Sequence, residues 1–82
     1  MISYPNPFFD RLTIRFTSEI TSLAQIRIVN LLGSEVTQLY SGTLEAGEHL
    51  LNWDAHGMPP GMYHCISRIG SEVKEIPLIL VK

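Results

Sequence analysis

The sequence predicts an all-β protein, an antiparallel sandwich of six or seven short strands. Apolar and polar residues alternate strictly from residue 11 to residue 17, which is the period of a half-buried strand. Glycine, proline and small polar residues interrupt the chain every eight to twelve residues, as turns between short strands do. No stretch has the apolar spacing of a convincing helix, so one sheet packed on another is the simplest architecture.

Composition limits the possible functions. The 82 residues make a single domain, 1–82, and a 45% hydrophobic content is enough for a core. The one cysteine, Cys65, excludes an internal disulfide. A net charge of −2 argues against nucleic-acid binding, which needs clustered Lys and Arg. The longest apolar run is far too short to span a bilayer, and we expect no signal peptide in the opening residues.

Two prolines define the first segment, residues 4–8 with the sequence YPNPF. Each proline biases the residue before it away from helix, so we expect a stiff entry arm. Its aromatic residues Tyr4 and Phe8 are expected to lie on the edge of the domain.

The following strands are predicted from alternation and glycine positions. Residues 11–17 and 24–28 alternate, and Gly33 closes the second strand with a turn. In residues 35–40, Val36 and Leu39 are three apart as in a helix, but the β-branched and aromatic content favours a strand with a possible bulge.

The stretch 46–65 contains the only tryptophan and two predicted strands. Gly47 precedes the first strand at a turn or bulge, and Trp53 anchors the core. Two prolines and two glycines in residues 57–61 exclude a helix and a central strand. A hairpin at residues 70–72 leads to the last strand, where Pro77 indicates a sheet edge or bulge. The predicted core residues are Leu12, Ile14, Phe16, Ile26, Ile28, Leu51, Trp53 and Tyr63.

The sequence gives little indication of a catalytic or metal-binding site. Asp54 with His49, His56 and His64 could be imagined as a metal or acid–base site, but no known ligand spacing links them. Asp54 more simply accepts backbone N–H bonds in a turn, and His49 is expected to be a partly buried ring beside Trp53. We therefore predict no metal, no cofactor and no enzyme activity.

Two further hypotheses have simpler structural alternatives. Cys65 has only strand residues as neighbours, so a packed, inert thiol is expected rather than a nucleophile. Trp53 with Tyr40 and Tyr63 could form an aromatic sugar platform. Trp53 shares its strand face with Leu51, which favours core packing.

The order of these features resembles the C-terminal sorting domain of the type IX (Por) secretion system of Bacteroidetes-related bacteria. The resemblance begins with YPNPF and an alternating strand, and continues with an I-x-I-x-[N/D]-x-x-G-x-x-V pattern at residues 26–36. A-G-x-H, W-D and P-x-G-x-Y follow at residues 46–49, 53–54 and 59–63. Cys65 and Ser67 stand where larger apolar residues are usual, so looser packing is expected there. Pro77 also departs from the family pattern.

The resemblance implies a small immunoglobulin-like sandwich that acts as a targeting module. The domain would end a larger cargo precursor in transit through the periplasm. The outer-membrane type IX translocon would recognise it, and a sortase-type peptidase would remove it. The cargo would then be secreted or attached to the cell surface, and the C-terminal strand would be reachable for pairing. The residues implied in sorting are Tyr4, Pro5, Asn6, Pro7, Phe8, Gly33, Gly47, His49, Trp53, Asp54, Gly61, Tyr63, Lys74, Leu78, Leu80 and Lys82.

A second function class remains open from the sequence. Similar patterns occur in the immunoglobulin-like repeat of the flagellar hook-capping protein and in accessory modules of secreted glycosidases. The alternative is therefore a structural or carbohydrate-binding module of a secreted multidomain enzyme.

Overall fold

Seven strands make up the part of the chain that the computed structural model describes, residues 1–81. No helix occurs in these residues. The strands lie in two antiparallel sheets, so the predicted all-β sandwich is confirmed. The strands are β1 (Ile2–Tyr4), β2 (Arg11–Ser18), β3 (Ser22–Asn30), β4 (Glu35–Leu44), β5 (Gly47–Asp54), β6 (Gly61–Ile69) and β7 (Glu72–Leu80).

The two sheets differ in size and order. The smaller has the order β1-β2-β5 and the larger β4-β3-β6-β7. In the smaller sheet Leu12 is paired with Trp53 and Ile14 with Leu51. Because residues two apart share a face of a strand, this register places the apolar residues of both strands on one side. That side faces the larger sheet across the core.

The core agrees closely with the predicted one. Seven of the eight predicted residues are buried, and Leu51 is partly buried and packed against them. Buried residues outside the predicted core include Phe8, Ala24, Val29, Leu44 and Ala55. Leu44 was missed because the predicted strand covered residues 35–40, whereas β4 continues to residue 44.

The looser packing expected at Cys65 and Ser67 stays a prediction. Ser67 is buried on the core side of β6, and an open cavity of about 370 Å³ lies beside it, lined also by Phe16, Ser18 and Ile69. Cys65, two residues earlier, is fully buried among apolar side chains. Both positions are therefore buried on the core side of β6.

The turn between β3 and β4 and the predicted bulge are both present. Gly33 has φ of +83°, a conformation that a β-carbon disfavours. Asn30 Oδ1 accepts hydrogen bonds from the N–H groups of Leu32 and Ser34, each at 3.0 Å. The pairing of β3 with β4 shifts register twice, between Ile26 and Arg27 and between Ile28 and Val29. These irregularities explain the mixed spacing of Val36 and Leu39.

The last strand lies at the edge of the larger sheet, as Pro77 predicted. Leu78 and Leu80 are buried and Ile76 is partly buried, so they form the inward row. Pro77 is exposed.

The beginning of the chain differs from the prediction in two respects. Residues 2–4 form a short strand, β1, paired with β2, where only an extended arm was expected. Tyr4 is half-exposed at the domain edge as predicted, but Phe8 is fully buried in the core. The next residue, Phe9, faces solvent instead.

The described residues were also searched for membrane spans. No helix long and apolar enough to cross a bilayer occurs among residues 1–81.

Candidate functional site: the terminal edge

The first and last parts of the chain meet at one edge of the sandwich. Residues 6–8, here called the strap, lie along the outer side of β7. The strap and residues 77–81 together are called the terminal edge. Five of the residues implied in sorting lie in this edge, and Trp53 and Tyr63 pack beneath it. The sequence separates the strap from residues 77–81 by about seventy positions.

Asn6 joins the strap to β7 through its side-chain amide. Its Nδ2 donates to the C=O of Pro77 at 3.0 Å, and its Oδ1 accepts from the N–H of Ile79 at 3.0 Å. Pro5 and Pro7 on either side have no N–H to donate. The amide of Asn6 therefore supplies one donor and one acceptor, as a backbone peptide group in a neighbouring strand would.

Phe8 continues the pairing with its backbone. Its N–H donates to the C=O of Ile79 at 2.9 Å, and its C=O accepts from the N–H of Val81 at 2.8 Å. These bonds form a parallel bridge between Phe8 and Leu80. The chain thus crosses from the smaller sheet to the larger one between β1 and the strap, because β1 pairs with β2 of the smaller sheet. One short segment closes this side of the sandwich.

An aromatic cluster anchors the strap from inside. The Phe8 ring lies 5.6 Å from the Trp53 ring between centroids, and Trp53 lies 5.4 Å from Tyr63 in an edge-to-face arrangement. Such pairs add to the burial energy of each ring. The hydroxyl of Tyr63 donates to the C=O of Pro59 at 2.5 Å, which fastens the Pro-Pro loop to the same cluster.

Asp54 organises the adjoining loop, as predicted. Its Oδ1 accepts from the N–H of His56 at 3.0 Å. The N–H of Ala55 donates to the C=O of Asp10 at 2.7 Å, which connects this loop to the segment after the strap. The end of β5 and the start of β2 are therefore held together beside the aromatic cluster.

The residues implied in sorting fall into two groups by exposure. Phe8, Trp53, Tyr63, Leu78 and Leu80 are buried and hold the terminal edge together. Groups that a partner could contact directly are Tyr4, Pro5, Asn6, Pro7, Asp54, Gly61 and Lys74, all exposed. Lys82 lies outside the described residues.

Three of the implied residues lie away from the terminal edge. Gly33 forms the β3–β4 turn, and Gly47, with φ of +127°, begins β5 at the far end from Asp54. His49 is partly buried as predicted, but its position beside Trp53 was wrong. It stacks on Phe16 at 5.4 Å and donates from Nε2 to the C=O of Glu45 at 2.6 Å. Four residues along one strand separate it from Trp53, about 13 Å.

Two of the three histidines lie away from Asp54, and His56 is bonded to Asp54 through its backbone N–H. His49 and Asp54 stand at opposite ends of β5, about 17 Å apart along the strand. His64 Nδ1 lies instead 3.0 Å from Glu75 Oε1 on the outer face of the larger sheet. Within residues 1–81 no group of three or more His, Cys, Asp or Glu side chains could hold a metal ion.

For the nucleophile hypothesis at Cys65 and the sugar-platform hypothesis at Trp53, the structure favours the simpler alternative of core packing. Cys65 is fully buried, and burial raises the pKa of its thiol from 9.0 to about 11, so little thiolate forms near neutral pH. Trp53 and Tyr63 are only 5% and 4% exposed. Neither ring can offer a flat face to a sugar.

Sequence reasoning missed two parts of this edge. Ile79 binds the strap through its backbone N–H and C=O, and no side-chain pattern predicts such a contact. Phe9 is 71% exposed next to the strap. The adjacent Phe8-Phe9 pair was an available signal, since neighbouring residues in an extended chain face opposite sides and only one of them can be buried.

A comparison with protein-family models finds one whose description is "Secretion system C-terminal sorting domain", matching residues 3–81. This family is not an enzyme family. Searches of curated proteins and of solved structures found no match. The match covers nearly the whole chain, including the strap and β7. The chain therefore belongs to the type IX secretion system C-terminal sorting domain family.

Proposed function

We propose that this folded domain is the export signal of a larger cargo precursor, recognised by the outer-membrane type IX translocon. The observation that carries the proposal is membership of the sorting-domain family over residues 3–81. The cargo passes through the periplasm, and a sortase-type peptidase removes the domain at the outer membrane. The cargo is then released or attached to the cell surface.

The terminal edge is the proposed recognition surface. It combines residues from both ends of the chain, which are neighbours only when the domain is folded. A receptor that contacts this edge therefore distinguishes the folded domain from an unfolded chain of the same sequence. The exposed Pro5, Asn6 and Pro7 and the lysines Lys74 and Lys82 are the proposed contacts. The buried aromatic cluster anchors the strap through Phe8.

An export experiment tests the sorting function. The domain is fused to the C-terminus of a reporter with a periplasmic signal peptide, in a bacterium that has a type IX system. The reporter should appear outside the cell, and removal of residues 78–82 should leave it in the periplasm. If the intact fusion stays in the periplasm while the domain is folded, the sorting function is wrong.

Surface variants separate recognition from folding, because the deletion removes the buried Leu78 and Leu80. Lys74→Ala removes an exposed ion pair of 3.2 Å with Glu72 on β7. Arg15→Ala is a matched control, since it removes an exposed pair of 3.0 Å with Glu48 on the other sheet. Each change should alter stability by less than about 0.5 kcal/mol. Lys74→Ala combined with Lys82→Ala should reduce export and Arg15→Ala should not. Equal export from all variants would contradict recognition at β7.

A further inference from the structure

The sandwich is closed at one side and open at the other. At the closed side the strap lies along β7, and the inward residues Leu78 and Leu80 of that strand are buried. At the opposite side β5 and β4 are the edge strands of the two sheets. Their residues Val36, Tyr40 and Leu51 pack against the core but are only partly buried. Apolar side chains therefore remain accessible between the sheets at this open side.

The two sheets have four edge strands, and three of them carry features that hinder pairing with another chain. β1 is only three residues long, and β4 shifts register twice against β3. β7 contains Lys74 and Pro77 and is covered in part by the strap. β5 contains neither proline nor lysine, and its eight residues pair with β2 without a register shift. β5 is therefore the edge best suited to accept another strand.

One hydrogen bond identifies the backbone groups of β5 that face the open side. The N–H of Ala55 donates to the C=O of Asp10 at 2.7 Å, which continues the ladder between β5 and β2. Because backbone groups alternate between the two sides of a strand, the odd-numbered residues of β5 bond to β2 and the even-numbered ones face outward. The outward groups include those of Glu48, Leu50 and Asn52. Among the described residues, no other strand pairs with them.

We infer that β5 pairs with β5 of a second copy of this chain, antiparallel and about a two-fold axis at Leu50. In this register Leu50 lies opposite Leu50 of the second copy, and Glu48 lies opposite Asn52. The outward backbone groups of these residues then bond to each other, and the two three-stranded sheets become one continuous sheet. The strap and β7 lie at the closed side, so the terminal edge stays exposed. This inference does not depend on the sorting function.

The side chains of the even-numbered row favour this register over its neighbours. Leu50 is 57% exposed, and the contact covers it in both copies. Asn52 Oδ1 accepts from Thr13 at 2.9 Å, which leaves its Nδ2 group to donate to the Glu48 carboxylate of the second copy. A shift of the axis by one residue places Glu48 opposite Asp54, where like charges repel, or opposite Leu50. The β5 edge is thus complementary to itself in one register.

Analytical ultracentrifugation of the full chain tests the association. A monomer–dimer equilibrium should appear without larger species, because a two-fold contact uses the β5 edge of both copies and leaves none free. A chain that stays monomeric up to about 1 mM would overturn the inference.

Hydrogen exchange in the same samples locates the contact without any substitution. The N–H of Leu50 faces the open side and should exchange about tenfold more slowly where the dimer dominates than where the monomer does. A dimer in which the Leu50 N–H keeps its monomer rate would place the contact elsewhere, and the inference would be wrong.

Charge variants at Leu50 test the two-fold axis. Leu50→Lys and Leu50→Glu each bring like charges together at the axis and should weaken dimerisation roughly three- to tenfold. An equimolar mixture of the two variants should dimerise more tightly than either variant alone, because opposite charges then meet there. A mixture that associates no better than the separate variants would contradict an axis at Leu50.

Ile2→Lys is the matched control for Leu50→Lys. Ile2 is 55% exposed, and it lies in the same cross-strand row as Leu50, but on β1 at the other edge of the smaller sheet. This variant should therefore dimerise as the parent chain does, and both lysine variants should keep its far-ultraviolet circular dichroism spectrum. An equal loss of association in Ile2→Lys and Leu50→Lys would mean unspecific contact between apolar faces and would overturn pairing at β5.

Discussion

Trp53 is the central residue of the aromatic cluster beneath the terminal edge, since it contacts both of the other rings. Its ring contacts Phe8 before β2 and Tyr63 on β6, and its backbone lies in β5. Its side chain therefore joins three segments that are distant in sequence. Removal of Trp53 would therefore take an aromatic contact from both Phe8 and Tyr63.

Trp53→Ala should lower the free energy of unfolding by about 3–5 kcal/mol, because the sheets cannot close over the space that the indole leaves. Urea unfolding followed by circular dichroism measures this. In so small a domain the loss is a large share of the total stability. Phe9→Ala is the control: it also removes an aromatic ring, but from an exposed site, and should cost less than about 0.5 kcal/mol. Similar losses for both would contradict the central role of Trp53.

Cys65 gives a prediction of pH dependence. Burial raises the pKa of its thiol to about 11 from 9.0, so the folded state holds the proton more tightly than the unfolded state. This contribution to stability is complete below pH 9.0 and is lost as the pH rises toward about 11. A Cys65→Ala variant should show less loss of stability over this range in urea titrations at each pH. An equal loss in both proteins would mean that Cys65 does not titrate as its burial requires.

At the scale of the elements, β7 depends on contacts with both of its sides. Its inward row fills the core, β6 pairs with one edge, and the strap pairs with part of the other. Pro77 fits this arrangement because its nitrogen faces the strap side of β7. The missing N–H of the proline therefore removes no hydrogen bond to β6. The family motif YPNPF and the terminal strand thus form one structural unit.

Removal of residues 78–82 should unfold the isolated domain. The deletion takes away two buried leucines and the partners of Phe8 and Asn6 on β7. Far-ultraviolet circular dichroism should show loss of the β-sheet signal, whereas the full-length Lys74→Ala variant should keep it. A truncated chain that retains a cooperative thermal transition would show that β7 is not needed for folding.

At the scale of the whole molecule, the arrangement separates residues that chemistry would need together. His49, His64 and Asp54 lie on different parts of the sandwich, and His56 contacts Asp54 through its backbone N–H. Among residues 1–81 no cluster suited to a metal is formed. The side chains that do converge are aromatic, apolar or neutral amide groups. Such a set stabilises the terminal edge and contains no general base or nucleophile.

Isothermal titration with zinc or calcium should therefore detect no site tighter than about millimolar, since strong metal sites need several converging ligands. The measurement uses the full chain at neutral pH. A micromolar site that disappears in His56→Ala or His64→Ala would contradict this expectation and restore the metal hypothesis.

Local patterns were sufficient to predict six of the seven strands, all but β1. The alternation in β2 placed Leu12, Ile14 and Phe16 in the core, and Gly33 and Pro77 predicted a turn and a sheet edge. These features depend on side-chain period and backbone conformation, which a few neighbouring residues determine. The family resemblance also rested on ordered motifs, and the family comparison confirmed it.

Contacts between distant residues were decided only by the tertiary structure. The sequence by itself could not show that Asn6 binds the backbone of β7, because the groups it binds, the C=O of Pro77 and the N–H of Ile79, are present in almost every residue. Nor could it show which of Phe8 and Phe9 is buried, since that depends on where the strap crosses between the sheets. His49 was misplaced because a shared strand face fixes direction but not distance along the strand. The sequence therefore determined the strands and the residues that face inward, and the folded structure decided which of them meet at the terminal edge.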